Sequence, residues 1–190
     1  MDRLWSPWRS DYVSAFDTDR RPSDDEVSIF SQMIAEEADR ENLILWRGES
    51  VFVVMNLHPY NNGHLLIVPY REVGGYAALS VDEQQEIAST IDRCLTWLRE
   101  ALDPDGFNVG MNLGRAAGAS IEEHMHVHVV PRWDRDTNFM TTTTETRVLP
   151  EDLTTTYEKL RRVIASHTDS NDASPDLKTR SRPPASDESG

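Results

Sequence analysis

Residues 124–130, His-Met-His-Val-His-Val-Val, place three of the chain's six histidines at every second position. That is the period of an extended strand, whose successive side chains leave by opposite faces. His124, His126 and His128 therefore share one surface, while Met125, Val127 and Val129 enter the other. Such a strand is built around its polar face. Two chemistries use a row of imidazoles in this way: ligation of a transition metal, or nucleophilic attack and hydrogen bonding on an anionic substrate.

A chain of 190 residues is long enough for one substantial core, and no internal repeat or break divides it. Its 33 acidic against 19 basic residues give a formal charge of -14, which argues against a nucleic-acid duplex or an anionic membrane surface as the main partner. A small phosphate ligand stays compatible with that charge, because backbone N–H groups and local arginines can hold it. Cys94 is the only cysteine, so no intrachain disulfide forms, and a cytoplasmic location is expected. The opening residues lack the plan of a signal peptide, and no apolar run is long enough to span a bilayer.

Trp5, Trp8 and Tyr12 stand among arginines in an N-terminal arm expected to pack on the body, and residues 17–25 read as a charged loop. A short helix follows, with Phe30, Met33 and Ile34 on one face. Val51–Met55 and Leu65–Val68 are predicted strands of a hairpin whose longer loop contains Pro59 and the turn pair Asn62-Gly63. Ser80-Val-Asp-Glu83 is a capping box, behind which Ile87, Ile91, Leu95 and Leu98 recur at helical spacing until Asp103-Pro-Asp-Gly106. Cys94 lies beside that stripe and reads as core filler rather than a reactive thiol. A strand over Phe107–Leu113, a Gly/Ala-rich loop over Gly114–Ala119, the histidine strand to Pro131 and a helix marked by Leu153, Tyr157, Leu160 and Ile164 complete the body. The expected division is a catalytic domain over 1–167 and a disordered acidic and polar tail over 168–190. The class is α+β with an antiparallel sheet.

Three segments then converge: Asn56-Leu-His-Pro-Tyr-Asn-Asn-Gly-His64, Asn112-Leu-Gly114, and Gly118 through the histidine row. Together, and in this order, they resemble the histidine triad superfamily of nucleotide hydrolases and transferases over roughly residues 3–165. The Leu-Trp-Ser-Pro-Trp-Arg start and the Pro131-Arg132-Trp133 to Thr137-Asn138-Phe139 continuation are further similar to a bacterial branch of dinucleoside polyphosphate phosphorylases and hydrolases. The resemblance implies a sheet of about five antiparallel strands with a long helix and a C-terminal helix, extended across a homodimer. It implies that His126 is the nucleophile that attacks an α-phosphorus, that His128 hydrogen-bonds the α-phosphate, and that His124 and His64 support them. It further assigns Asn56 to a ribose hydroxyl with Leu57 beside it, Asn112 to the phosphate and leaving group, and Gly118, Ala119, Ser120 and Ile121 to phosphate contacts. On the residues alone, Asn56 and Asn112 are equally readable as turn formers.

Many bacterial relatives carry a structural zinc bound by a Cys-x-x-Cys pair, a histidine and the first triad histidine. The corresponding positions here are Ser28, Ser31, Glu72 and His124, so the resemblance implies no metal at this place and no tightly bound cofactor; Mg2+ is expected only with a polyphosphate substrate. Packing of Phe30, Met33 and Ile34, or hydrogen bonds among the replacements, must then stabilise this corner. The leading expectation is a nucleotidyl hydrolase or transferase acting on dinucleoside polyphosphates or related conjugates, with a phosphorylase using inorganic phosphate as the alternative acceptor reading. A metal-binding β protein would explain the triad but not the asparagine segments, and a catalytically silent nucleotide-binding module is opposed by the intact His126.

Overall fold

A computed structural model describes residues 27–119, 121–134, 136 and 151–171. The N-terminal arm, the charged loop, Ser120, the Thr137-Asn138-Phe139 segment and the chain beyond Asn171 lie outside the described residues. Five strands form one antiparallel sheet: β1 (Ile44–Arg47), β2 (Val51–Met55), β3 (Leu65–Pro69), β4 (Gly106–Gly110) and β5 (Val127–Arg132), in the order β1-β2-β3-β5-β4. The helices are α1 (Ile29–Ala35), α2 (Val81–Leu102) and α3 (Leu153–Asn171).

The ladder registers divide the sheet's two faces. Ile67 pairs with Val127 and Leu65 with Val129, and these residues join Val51, Val53 and Met55 in the main core beneath α2 and α3. Leu66 pairs with His128, and Leu66, Val54, Phe52 and Val68 form a smaller apolar cluster with Phe30 and Met33 of α1 on the opposite face. Met125 also enters the main core, so the alternation expected of the histidine row holds.

The paired strand, however, begins only at Val127, so His124 and His126 precede it. β3 ends at Pro69, which has no N–H to continue the ladder. Met125 N–H donates instead to the Val73 carbonyl (2.8 Å). The strand expected over Phe107–Leu113 likewise stops at Gly110. No sequence pattern marks β1: Ile44 and Leu45 are both fully buried, so there is no alternation, and a bulge interrupts its four residues.

Glu83 and Ser80 close the capping box at the start of α2, worth about 1 kcal/mol, and Asp103 ends the helix in the left-handed region at φ 48°. The buried face of α2 carries Ile87, Cys94, Trp97 and Leu98, while Ile91 and Leu95 are half-buried. Cys94 is enclosed in the main core, and burial pushes its thiol pKa well up, which agrees with a packing role. Tyr157, Leu160 and Ile164 of α3 reach the same core, and α3 runs to Asn171, past the expected boundary at 167. Tyr157 Oη donates to the Ile44 carbonyl (3.2 Å) and Arg161 to the Leu45 carbonyl (2.7 Å), so α3 occupies acceptors along edge strand β1. At the other edge Asn108, Val109 and Gly110 of β4 are exposed.

Candidate active site

The hydrogen bonds around the four histidines determine where their protons sit. A carbonyl oxygen only accepts, so the 3.1 Å contact between His126 Nδ1 and the His124 carbonyl places the proton of His126 on Nδ1. In the neutral ring Nε2 then carries a lone pair. His124 is the opposite tautomer: its Nε2–H donates to the Pro69 carbonyl (2.7 Å), leaving Nδ1 to accept from the Ser28 hydroxyl (2.9 Å). Burial holds the pKa of both His124 and His126 below the ordinary imidazole value; the carbonyl bonds of His124 to Pro69 and of His126 to His124 partly oppose that fall.

A second run of bonds fixes His64 and His128. The Tyr60 backbone N–H donates to His64 Nδ1 (3.1 Å), so His64 carries its proton on Nε2 and donates it to His128 Nδ1 (3.0 Å). His128 in its neutral form therefore presents an N–H at Nε2. The rings of His126 and His128 lie edge to face, centroids 4.8 Å apart. Adjacent imidazoles thus offer opposite functions: a lone pair on His126 and a donor on His128. Tyr60 stacks on His64 at 4.9 Å and supports this pair, a role that no periodicity in the loop announces.

Asn56 serves as the turn former it also resembles, since its Oδ1 accepts from His58 N–H (2.9 Å) while its Nδ2 faces His64 Nδ1 (3.3 Å). Leu57 beside it is exposed. Asn112 is half-buried, two residues beyond Gly110, the partner of His128 in the β4–β5 ladder. Gly118 and Ala119 donate their N–H groups within the turn, to the carbonyls of Arg115 (2.9 Å) and Gly114 (3.3 Å), so neither is displayed as a ready phosphate donor. Ile121 packs on the α1 cluster. Ser120 lies outside the described residues. The structure thus joins His64, His124, His126, His128 and Asn56 through continuous contacts.

The four positions compared with a zinc site also converge. Glu72 accepts from Ser28 N–H (3.0 Å) and from the Ser31 hydroxyl (2.5 Å), and Ser28 donates to His124. The Ser31 and Ser28 bonds hold the Glu72 carboxyl pKa below its ordinary value. Two neutral hydroxyls, one carboxylate already bonded twice, and an imidazole with both nitrogens engaged do not fit zinc, which takes thiolate and imidazole at such sites. Both expected sources of stability are present: the hydrogen bonds just described, and Phe30, which stands edge-on to His124 and His126 at 5.4 and 5.3 Å.

A family model described as HIT domain matches residues 37–135. AP-4-A phosphorylase of Mycobacterium tuberculosis is 40% identical over 168 residues, 87% of this chain and 84% of the relative. Bis(5'-adenosyl)-triphosphatase of Dictyostelium discoideum is 30% identical over 93 residues, 49% of this chain and 62% of the relative. Two solved structures share the fold. A Zn-bound histidine triad family protein from Mycobacterium smegmatis aligns with TM-score 0.60 at 22% identity, over 75% of this chain and 96% of its own. A hypothetical histidine triad nucleotide-binding protein from Sulfolobus tokodaii aligns with TM-score 0.59 at 25% identity, over 75% and 93%.

Proposed function

This chain belongs to the HIT domain family, and on that premise we propose that it is an enzyme that transfers a nucleotidyl group from a dinucleoside polyphosphate through a covalent intermediate on His126. The observation that carries this reading is the pair of tautomers: the Nδ1–H of His126 is held by the His124 carbonyl, and the Nε2–H of His128 is fixed through His64. The lone pair of His126 Nε2 forms a bond to the α-phosphorus as the bond to the bridging oxygen breaks, and the leaving nucleoside polyphosphate takes that electron pair. The His126 ring becomes cationic but keeps its Nδ1 proton, now in a stronger bond to the His124 carbonyl. His128 donates to a non-bridging oxygen, where a preorganised N–H opposes the charge that gathers on phosphorus.

In the second half-reaction an acceptor oxygen attacks the same phosphorus and His126 leaves with its electron pair restored. Water gives a nucleoside monophosphate and inorganic phosphate gives a nucleoside diphosphate. The relative that matches along most of the chain bears the name of a phosphorylase, which favours phosphate. Incubation with diadenosine tetraphosphate, with and without inorganic phosphate, tests this. ATP with ADP is expected in phosphate; ATP with AMP in both samples would make the enzyme a hydrolase, and no cleavage would refute the proposal.

The chain's residues perform every chemical step, with Mg2+ accompanying the substrate polyphosphate rather than residing in the protein. The active assembly is a homodimer built across β4, because α3 occupies carbonyls of the other edge while Asn108, Val109 and Gly110 are left exposed.

A further inference from the structure

α1 has seven residues and no acidic side chain in its first turn, too little for a helix to hold itself. Its start is fixed from elsewhere. Glu72, 44 positions along the chain, accepts both the Ser28 N–H and the Ser31 hydroxyl, one from the N-cap and one from the first turn. What this clamp holds in place are two contacts to the triad. Ser28 directs its hydroxyl at His124 Nδ1 and so holds the ring in the orientation in which its Nε2–H meets the Pro69 carbonyl, the acceptor that sets the tautomer. Phe30 presses edge-on against His124 and His126 together, at interplanar angles of 85° and 63°.

We propose that Glu72 is a positioning residue for His126, acting through Ser28, Phe30 and His124 and touching none of the reacting atoms. Release of the clamp frees the start of α1 and lets the Ser28 hydroxyl that orients the His124 ring drift from it. The His124 ring can then turn away from the Pro69 carbonyl, which frees its tautomer and loosens the anchor of the segment whose backbone carbonyl at His124 holds the Nδ1–H of His126. This is the same corner whose donor set does not fit zinc, and a carboxylate with two hydroxyls there does by hydrogen bonding what a metal would do by ligation: it fixes the first histidine of the row. The inference rests on His126 being the nucleophile.

The experiment compares Glu72→Ala, Glu72→Gln, Ser28→Ala and Ser28→Thr in the full chain, by steady-state cleavage of diadenosine tetraphosphate and by the ¹⁵N spectrum of labelled histidines in the substrate-free protein. Glu72→Ala and Ser28→Ala are expected to lower kcat roughly 10- to 100-fold with KM within about threefold, the scale typical of lost outer-shell partners. Their spectra should show His124 and His126 as tautomer mixtures, where the parent shows Nε2–H for His124 and Nδ1–H for His126. Glu72→Gln keeps an acceptor oxygen and Ser28→Thr keeps the hydroxyl, so both should hold kcat within about threefold and retain the parent spectrum. Parent kcat and spectrum in Ser28→Ala, or a tenfold loss in Glu72→Gln, would overturn the proposal. Ser28→Ala removes one hydroxyl, so it decides the matter should Glu72→Ala fail to fold. If the parent cleaves no dinucleotide, the functional reading fails, while the spectra still test whether the clamp sets the tautomers.

Discussion

Gly63 stands between Asn62 and His64, and its replacement by alanine has consequences that can be worked out from three terms. Its φ of 71° lies in the left-handed region, where an L-residue costs about 1–2 kcal/mol. A Cβ at this point would run into the ends of Leu102 and Leu98 on α2. Leu102 is half-buried at the end of the helix and can turn aside, but Leu98 is fully enclosed, so overpacking adds about 1 kcal/mol, the low end of its usual range. Alanine narrows the unfolded ensemble and returns about 0.5 kcal/mol. Gly63→Ala is therefore expected to destabilise the protein by about 2 kcal/mol. Gly75 provides the control. Its φ of -169° is ordinary extended backbone, and nothing lies within 4 Å of a Cβ built on it. Gly75→Ala should fall within about 0.5 kcal/mol of the parent. Urea denaturation of the three proteins measures both values, and a Gly63→Ala midpoint equal to that of Gly75→Ala, at unchanged slope, would show that position 63 needs no glycine.

The pH dependence of kcat/KM for diadenosine tetraphosphate reports the free enzyme and should show an acid limb centred below the ordinary imidazole value of about 6.5, because burial lowers the pKa of His126; a midpoint at or above that value would contradict it. The same burial contributes stability that is complete above about pH 6.5 and is lost as pH falls through the lower folded value, which acid-side melting curves can follow. Treatment with excess chelator, removal of the chelator and assay in defined Mg2+ should return full activity and an unchanged melting temperature, whereas stoichiometric zinc with irreversible loss on stripping would refute the reading of Ser28, Ser31 and Glu72. Light scattering at micromolar concentration should give twice the chain mass, and a charged substitution at Val109 on the β4 edge should shift it towards monomer; a monomeric parent would refute the assembly.

Local chemistry carried the fold where it was legible in the residues. The capping box at Ser80 and Glu83, the β2–β3 hairpin and the split of the histidine row between two faces all depend on neighbours within a few positions. β1 escaped because burial on both faces removes the alternation that identifies a strand, and the start of β5 at Val127 is set by the missing N–H of Pro69, over fifty positions away. At the site, the four histidines and Asn56 were legible from their motif. The part played by Tyr60 was not, and Glu72 was legible only as one of the positions in place of zinc ligands, without its bonding partners. Tyr60 acts through its backbone N–H as much as its ring, and Glu72 meets Ser28 only once the chain has folded. Asn56 shows a further reason: one side chain makes both the turn and a contact to His64, so its being a turn former does not remove it from the site.

The proposed reaction passes through a covalent bond between His126 Nε2 and the α-phosphorus. Rapid mixing with diadenosine tetraphosphate labelled at the α-phosphorus, an alkaline quench that preserves phosphoramidates and peptide mapping by mass spectrometry would detect it. One adenylyl group is expected on His126 in the parent, formed at least as fast as turnover, with neither adduct nor turnover in His126→Ala. Turnover in His126→Ala at near the parent rate, or an adduct on another residue that forms as fast as turnover, would contradict it.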